Sequence, residues 1–497
     1  MKKCLRNLAL LLSATIFVTV FTACNAAGDE GSYVWVTSEI IEEISSPDDS
    51  EETVSNDKGT QSNEEPEKNN QVNSNDFLKS LRGTKINIYS ALSGAPKRGT
   101  IVGDRYYANV EKISKKYGVT INFVSDYLSN EALLTSFVSG KPLVNVFTVA
   151  AYDINSYIKA DAIASLDDAM KELGITFQEK WYDQNVKKAF NLNGKHYAWY
   201  SGSRSPYIIA YNKRLLETKR LEDPINLYKK GEWTYDKLET YMKTLREVSS
   251  DGTVTVSGLE MPSIPEFMNY LAHMNGGSLV NIKNGTVSLN VTNAKTQKGL
   301  DYFYKWYCQE KIASIRGDWE AACINFSKGS AAMVFSTKYV FDAMNSNGMK
   351  DAVGVVPFPK GPDADAKAPY MYEQTEAYMI PKACQSDAKK YLFVMNELNK
   401  LQYECREKDF SDEYKHLILD KNSYEIFRSL SLEDNIELSA FEISGMTWGD
   451  GSLWDMMARI SNYNETPSTA YAATRVSMEN RIKDNWKGIE FTSYLSQ

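Results

Sequence analysis

At about residue 76 the chain changes character, and that boundary limits what can fold. Stretches such as 45–52 and 63–70 are almost wholly polar, and residues 25–76 carry 14 acidic and 2 basic side chains, a charge of −12. A segment with so little apolar surface cannot offset the entropy lost on ordering. It is expected to stay disordered, apart from transient packing of Val34, Trp35, Val36, Ile40 and Ile41. About fifty such residues span roughly 40 Å root-mean-square, the dimension of a tether. The packed body must therefore come from residues 77–497. Some 420 residues exceed what one hydrophobic core usually supports, so two domains are expected. The whole chain has net charge −8, the first six residues contribute +3 and the tether −12, so the folded part carries +1. Nucleic acid binding needs clustered positive charge and is not expected here.

Ahead of the tether, Lys2, Lys3 and Arg6 precede an apolar run from Leu8 to Phe21. That run has signal-peptide length and is too short to span a bilayer comfortably. It ends in Phe21-Thr22-Ala23-Cys24, which resembles a bacterial lipobox. The pattern predicts a signal peptide over 1–23 and lipid attachment at Cys24, with 24–76 as the tether. Two acyl chains would hold the protein to the outer face of the bacterial cell membrane more firmly than one. The alternative is an ordinary secretory signal with an incidental cysteine. Beyond Cys4 and Cys24 the cysteines are Cys308, Cys323, Cys384 and Cys405. An extracellular location permits disulfides, but four cysteines allow three pairings and the spacing selects none.

The folded part opens with a strand (84–90), a glycine-rich loop (91–103), a helix (106–117) stopped by Gly118, a strand (119–124), a helix (130–138) and a strand (143–149). That order argues for a mostly parallel sheet covered by helices. In such sheets ligands sit beyond the carboxyl ends of the strands, here 90–103, 125–130 and 150–155. Short strands are expected at 194–200 and 207–213, and a helix over 235–248 capped by Thr234. Further on come a strand at 353–358, a strand at 377–381 and a helix over 387–401.

Several phrases recur in order: Gly194-Lys195-His196-Tyr197 with Tyr211-Asn212-Lys213, Gly231-Glu232-Trp233-Thr234-Tyr235, and Phe326-Ser327-Lys328-Gly329-Ser330-Ala331-Ala332-Met333. Val353-Gly354-Val355-Val356-Pro357-Phe358-Pro359, Ile380-Pro381-Lys382 and a helix–turn–helix over 454–474 follow. Together, after a lipobox, they resemble the extracellular solute-binding lipoproteins of ABC sugar importers, the family that includes maltodextrin-binding protein. Lys141-Pro142-Leu143-Val144 departs from the family pattern, which often has Pro-Asp there. The resemblance implies an α/β fold of two lobes of the type II periplasmic-binding-protein kind, each a mixed sheet covered by helices, with a hinge between. It places lobe one at 77–200 plus 328–372 and lobe two at 201–327 plus 376–497. The chain then crosses near Tyr200–Ser205, Asn325–Lys328 and Tyr372–Ala377. It also implies capture of a carbohydrate, an oligosaccharide, for the transmembrane permease subunits of an importer, by a lipid-anchored monomer with no cofactor.

A sugar cleft needs aromatic faces for stacking and planar polar groups for its hydroxyls, because an unmatched buried polar group costs about 1–3 kcal/mol. The candidates are Tyr152 and Asp153, Trp199 and Tyr200 at the first crossing, and Tyr372, Glu373 and Glu376 at the last, with Tyr370 nearby. Trp448, flanked by Gly449 and Gly451, Trp454 and Trp319 complete the set. For each, packing or helix capping is the competing role. Arg98 and Arg204 could fork onto hydroxyls but are expected at the solvated surface, and Trp233 and Trp306 in the core. A secreted glycosidase would need two carboxylates at a set separation, which 64 acidic residues cannot single out. His196, His273 and His416 lack zinc-binding spacing, and no catalytic residue or metal ligand is assigned. A surface polysaccharide-binding protein or adhesin fits the tether equally well.

Overall fold

In the computed structural model the described residues are 75–91, 94–199, 204–316, 320–372, 377–433 and 436–494. The proposed signal peptide, Cys24 and the tether lie outside them. The first sheet is built from β1 (Lys85–Ser90), α1 (Ile101–Tyr117), β2 (Thr120–Phe123), α2 (Asn130–Val138) and β3 (Val146–Thr148). Its order is β2-β1-β3, all parallel. Parallel neighbours need a crossover, and α1 and α2 supply it. The Thr100 hydroxyl accepts from the Gly103 amide to start α1, and Gly118 ends it at φ 66°, the left-handed region that glycine enters without steric cost. Period-two alternation sends Ile86, Ile88 and Val146 to one core and Tyr89 and Phe147 to the other. Phe147 exchanges backbone hydrogen bonds with Met379 at 2.9 and 3.0 Å, which adds an antiparallel edge.

The second sheet comprises β4 (Ile208–Asn212), β5 (Glu247–Val248), β6 (Val254–Glu260), β7 (Ala313–Ser314), β8 (Ala331–Ser336) and β9 (Val353–Pro357), with α3 (Ile264–Met274) following β6. The order is β7-β6-β8-β4-β9, and β5 lies along β6. β7 and β8 run parallel to β6, while β4 runs antiparallel to β8 and β9. Every residue of β4, β8 and β9 is buried, the mark of strands covered on both faces. Phe267, Tyr270, Phe335 and Phe358 form one ring cluster over them.

These pairings correct the expected lobe boundaries. Residues 328–372 were assigned to the first lobe, but β8 and β9 belong to the second sheet. No crossing occurs near Asn325–Lys328, because the helix Ala321–Ser327 leads into β8 within one lobe. After β10 (Tyr370–Tyr372) the chain is back at the first sheet, where Met379 joins Phe147 and Pro381 joins Ile163. It then enters α4 (Ala388–Tyr414), far longer than the 387–401 expected. Leu392, Met395 and Leu398 of α4 pack in the first lobe. Phe410 and Tyr414 pack against Phe427, and Tyr414 against Phe341, in the second. Arg105 of α1 pairs with Asp409 and Asp412 along the same helix. The last stretch holds β11 (Ile436–Leu438), parallel to β10, then α5 (Ala440–Ile443), α6 (Leu453–Tyr463) and α7 (Pro467–Trp486). Cys308, Cys323, Cys384 and Cys405 are free. No helix among the described residues is long and apolar enough to cross a membrane.

Candidate functional site

The carboxyl ends of β3 and β6 open onto two short segments. After β3 the chain makes a turn at Ala151–Asp153 and starts the helix Ile154–Lys159. After β6 it passes Ser263 into α3, whose second residue is Pro265. A third segment, residues 444–452 between α5 and α6, reaches the first: a Cβ placed at Gly445 would stand 3.2 Å from the Tyr152 carbonyl oxygen. Gly445 also has φ 69°, so both backbone and space require glycine there.

Tyr152 and Asp153 are half-buried. Burial, with the negative charges of Asp153, Glu442 and Glu266 beside it, pushes the Tyr152 hydroxyl pKa up. Asp153 does not cap its helix. Its Oδ2 accepts from Asn130 Nδ2 at 2.6 Å. Burial raises its pKa, and the Asn130 bond opposes that. Glu266 is 2% exposed and its pKa is pushed up to about 7, chiefly by burial. Ser263 Oγ donates to it. Glu442, also 2% exposed, sits on α5. Carboxyl groups here can accept from ligand hydroxyls or, when protonated, donate.

Trp448 and Trp454 lie with ring centroids 5.1 Å apart and are 39% and 38% exposed. Ser452 Oγ accepts from the Trp454 amide and so starts α6. Asp455 accepts from the Gly451 amide at 2.7 Å. From α7, Arg481 donates to the carbonyls of Gly445, Trp448 and Asp450 at 3.2, 2.5 and 2.6 Å, which fixes the loop.

A sequence pattern for the bacterial extracellular solute-binding protein family matches residues 100–394. The chain belongs to that family. An uncharacterised ABC transporter extracellular-binding protein of Pyrococcus horikoshii is 25% identical over 232 residues, covering 46% of this solute-binding protein. The match spans half of that relative's own length. Among solved structures, a cyclo/maltodextrin-binding protein complexed with maltotetraose superposes with TM-score 0.57 at 17% identity, covering 81% of this chain and 98% of that one. UgpB from Mycobacterium tuberculosis, in complex with glycerophosphocholine, gives TM-score 0.59 at 14% identity, covering 80% and 100%. At such identities the likeness establishes the fold, a mixed α/β architecture of two lobes.

The other expected site residues of this solute-binding protein fall differently. Trp199 is 0% exposed and packs beside Tyr378, ring centroids 5.9 Å apart, so it belongs to the core. Its backbone amide donates to the Tyr378 carbonyl at 3.3 Å, which holds the indole within the first lobe's buried cluster. The backbone of Tyr372 ends β10 against Leu438. Tyr200, Trp319, Glu373 and Glu376 lie outside the described residues. Arg204 is held by Asp183 and the Glu433 carbonyl, and Arg98 lies over the Tyr107 ring. Trp233 and Trp306 are core, as expected. Glu266, Glu442 and Arg481 escaped notice in the sequence. A signal for Glu266 exists in the sequence: a β-branched run, 254–256, and then a Pro-bearing helix start, 262–266, the same strand-to-helix grammar that marks the 150–155 loop.

Proposed function

We propose that this protein is the carbohydrate-capturing component of an ABC importer. The ligand lies between the Tyr152–Asp153 turn and the Trp448–Trp454 pair, with Glu266 and Glu442 beneath as hydroxyl partners. The observation that carries this reading is the paired, part-exposed indoles, one on the 444–452 loop that meets the first lobe at Tyr152 and one in the first turn of α6. Two adjacent part-exposed aromatic faces make a contiguous patch of the kind that marks a ligand surface, and the apolar C–H face of a sugar ring is their complement. Ligand contacts on both lobes favour the closed form and shift the population toward it. The closed form is what the transmembrane permease subunits engage.

The protein works outside the cell on the membrane surface, anchored through lipid at Cys24 and held off by the acidic tether. It acts as a monomer that binds without catalysis. The maltotetraose complex of a structural neighbour supports an oligosaccharide as cargo. Isothermal titration with maltotetraose and shorter malto-oligosaccharides tests this, alongside incubation followed by product analysis. Saturable binding with intact sugar is expected. Failure of every carbohydrate to raise the melting temperature would overturn the reading, and shortened products would turn it toward a glycosidase.

A further inference from the structure

A cavity of about 530 Å³ opens at the edge of the second sheet. Two short strands share that edge of β6. β5 pairs with Val254 and Val256, and β7 with Leu259 and Glu260, so Ser257 and Gly258 fall between them. The cavity sits at this notch and extends to Asn464, the left-handed cap that ends α6. Trp454 lies in the first turn of α6. Ten residues of helix at 1.5 Å each put Asn464 about 15 Å further along the axis. The cavity is therefore separate from the Trp448–Trp454 pair.

Its lining holds three cations, Arg246, Lys311 and Arg316, and no carboxylate. Arg316 is committed to Glu260 and to the Ser330 carbonyl. Arg246 Nε is cut off from solvent, so only the outer nitrogens of its guanidinium can face the cavity, and Arg246 has no ion pair among the described residues. The Lys311 ammonium likewise has no ion pair among them. A concave wall of one charge sign concentrates counter-ions. A guanidinium fork matches the oxygens of a carboxylate or a phosphate. Ser257 and Ser314 are hydrogen-bonded to each other through their hydroxyls at 3.0 Å, which leaves one hydroxyl proton of the pair as a neutral donor. The volume suits a small organic molecule.

We propose that this cavity is a second ligand site, which takes a small anion whose phosphate or carboxylate oxygens accept from Arg246 and Lys311. The site works independently of the sugar cleft.

Calorimetric titration of the purified protein with pyrophosphate and with citrate, at matched ionic strength, tests this. Saturable binding of at least one probe is expected, weakened about tenfold or more by Arg246→Gln and by Lys311→Gln and unchanged by Trp448→Ala. Binding of pyrophosphate alone assigns a phosphate ligand, and of citrate alone a carboxylate. Lys311 is exposed, so its variant folds even where Arg246→Gln does not. Absence of saturable binding by either probe would overturn the proposal, as would an affinity untouched by Lys311→Gln or lost in Trp448→Ala.

Discussion

Arg481 Nη2 donates to the Trp448 carbonyl oxygen at 2.5 Å, so a residue on the last long helix sets where the exposed indole stands. The same guanidinium spans the Gly445 and Asp450 carbonyls. Arg481→Ala should loosen all three. Sugar affinity is expected to fall about tenfold, with a stability loss of about 1–3 kcal/mol. Arg481→Lys keeps the charge but loses the fork and should fall between. Calorimetry with maltotetraose and thermal melting read the two effects; unchanged affinity in the alanine variant would dissociate the loop from binding.

Trp448→Ala and Trp454→Ala should each weaken sugar binding with a smaller loss of melting temperature than truncation of a core indole such as Trp306. Both side chains are more than a third exposed, so each gives up less buried surface than a fully buried tryptophan. A large drop in melting temperature with intact affinity would reassign that indole to packing.

Gly445→Ala places a side chain at φ 69° and 3.2 Å from the Tyr152 carbonyl oxygen. Each effect is unfavourable, and together they should cost at least about 1 kcal/mol. Urea unfolding measures it. A neutral or stabilising result would mean that the 444–452 loop does not bear on the Tyr152 turn.

Glu266 makes stability depend on pH. Its folded pKa, about 7, stands above the ordinary carboxylate value because burial disfavours the charge. The folded state therefore holds its proton to higher pH than the unfolded one. Its contribution is complete below about pH 4.5 and is lost as pH rises through 7. Glu266→Gln removes that loss: it should raise the melting temperature at pH 8 and change it little at pH 4. Equal shifts at both pH values would show that Glu266 does not titrate in this window.

Local grammar carried much of the fold. Gly118 and Thr234 end and start their helices where the sequence suggests, and the β1–α1–β2–α2–β3 order is legible from alternation and stop signals. Strand partnership is not local. Residues 331–336 are apolar on both faces, so nothing in them selects between two buried sheets, and only long-range packing sends β8 to the second. The site divides along the same line. Trp448 is readable because glycines on an aromatic imply a loop. Trp199, in an equally aromatic phrase, is held in the core by contacts that arrive from Tyr378. Glu266 and Glu442 become conspicuous only when burial and the neighbouring Tyr152 separate them from the other carboxylates.

The 27 residues of α4 include neither glycine nor proline, and sharp kinks in helices almost always need one of these or an inserted group. One unbroken rod runs from one half of the molecule into the other, clamped near its far end by Arg105. A relative movement of the two halves would then have to twist or gently flex this rod. The motion is that of a stiff spine with a limited swing, and its rest position is written into the length of a single helix.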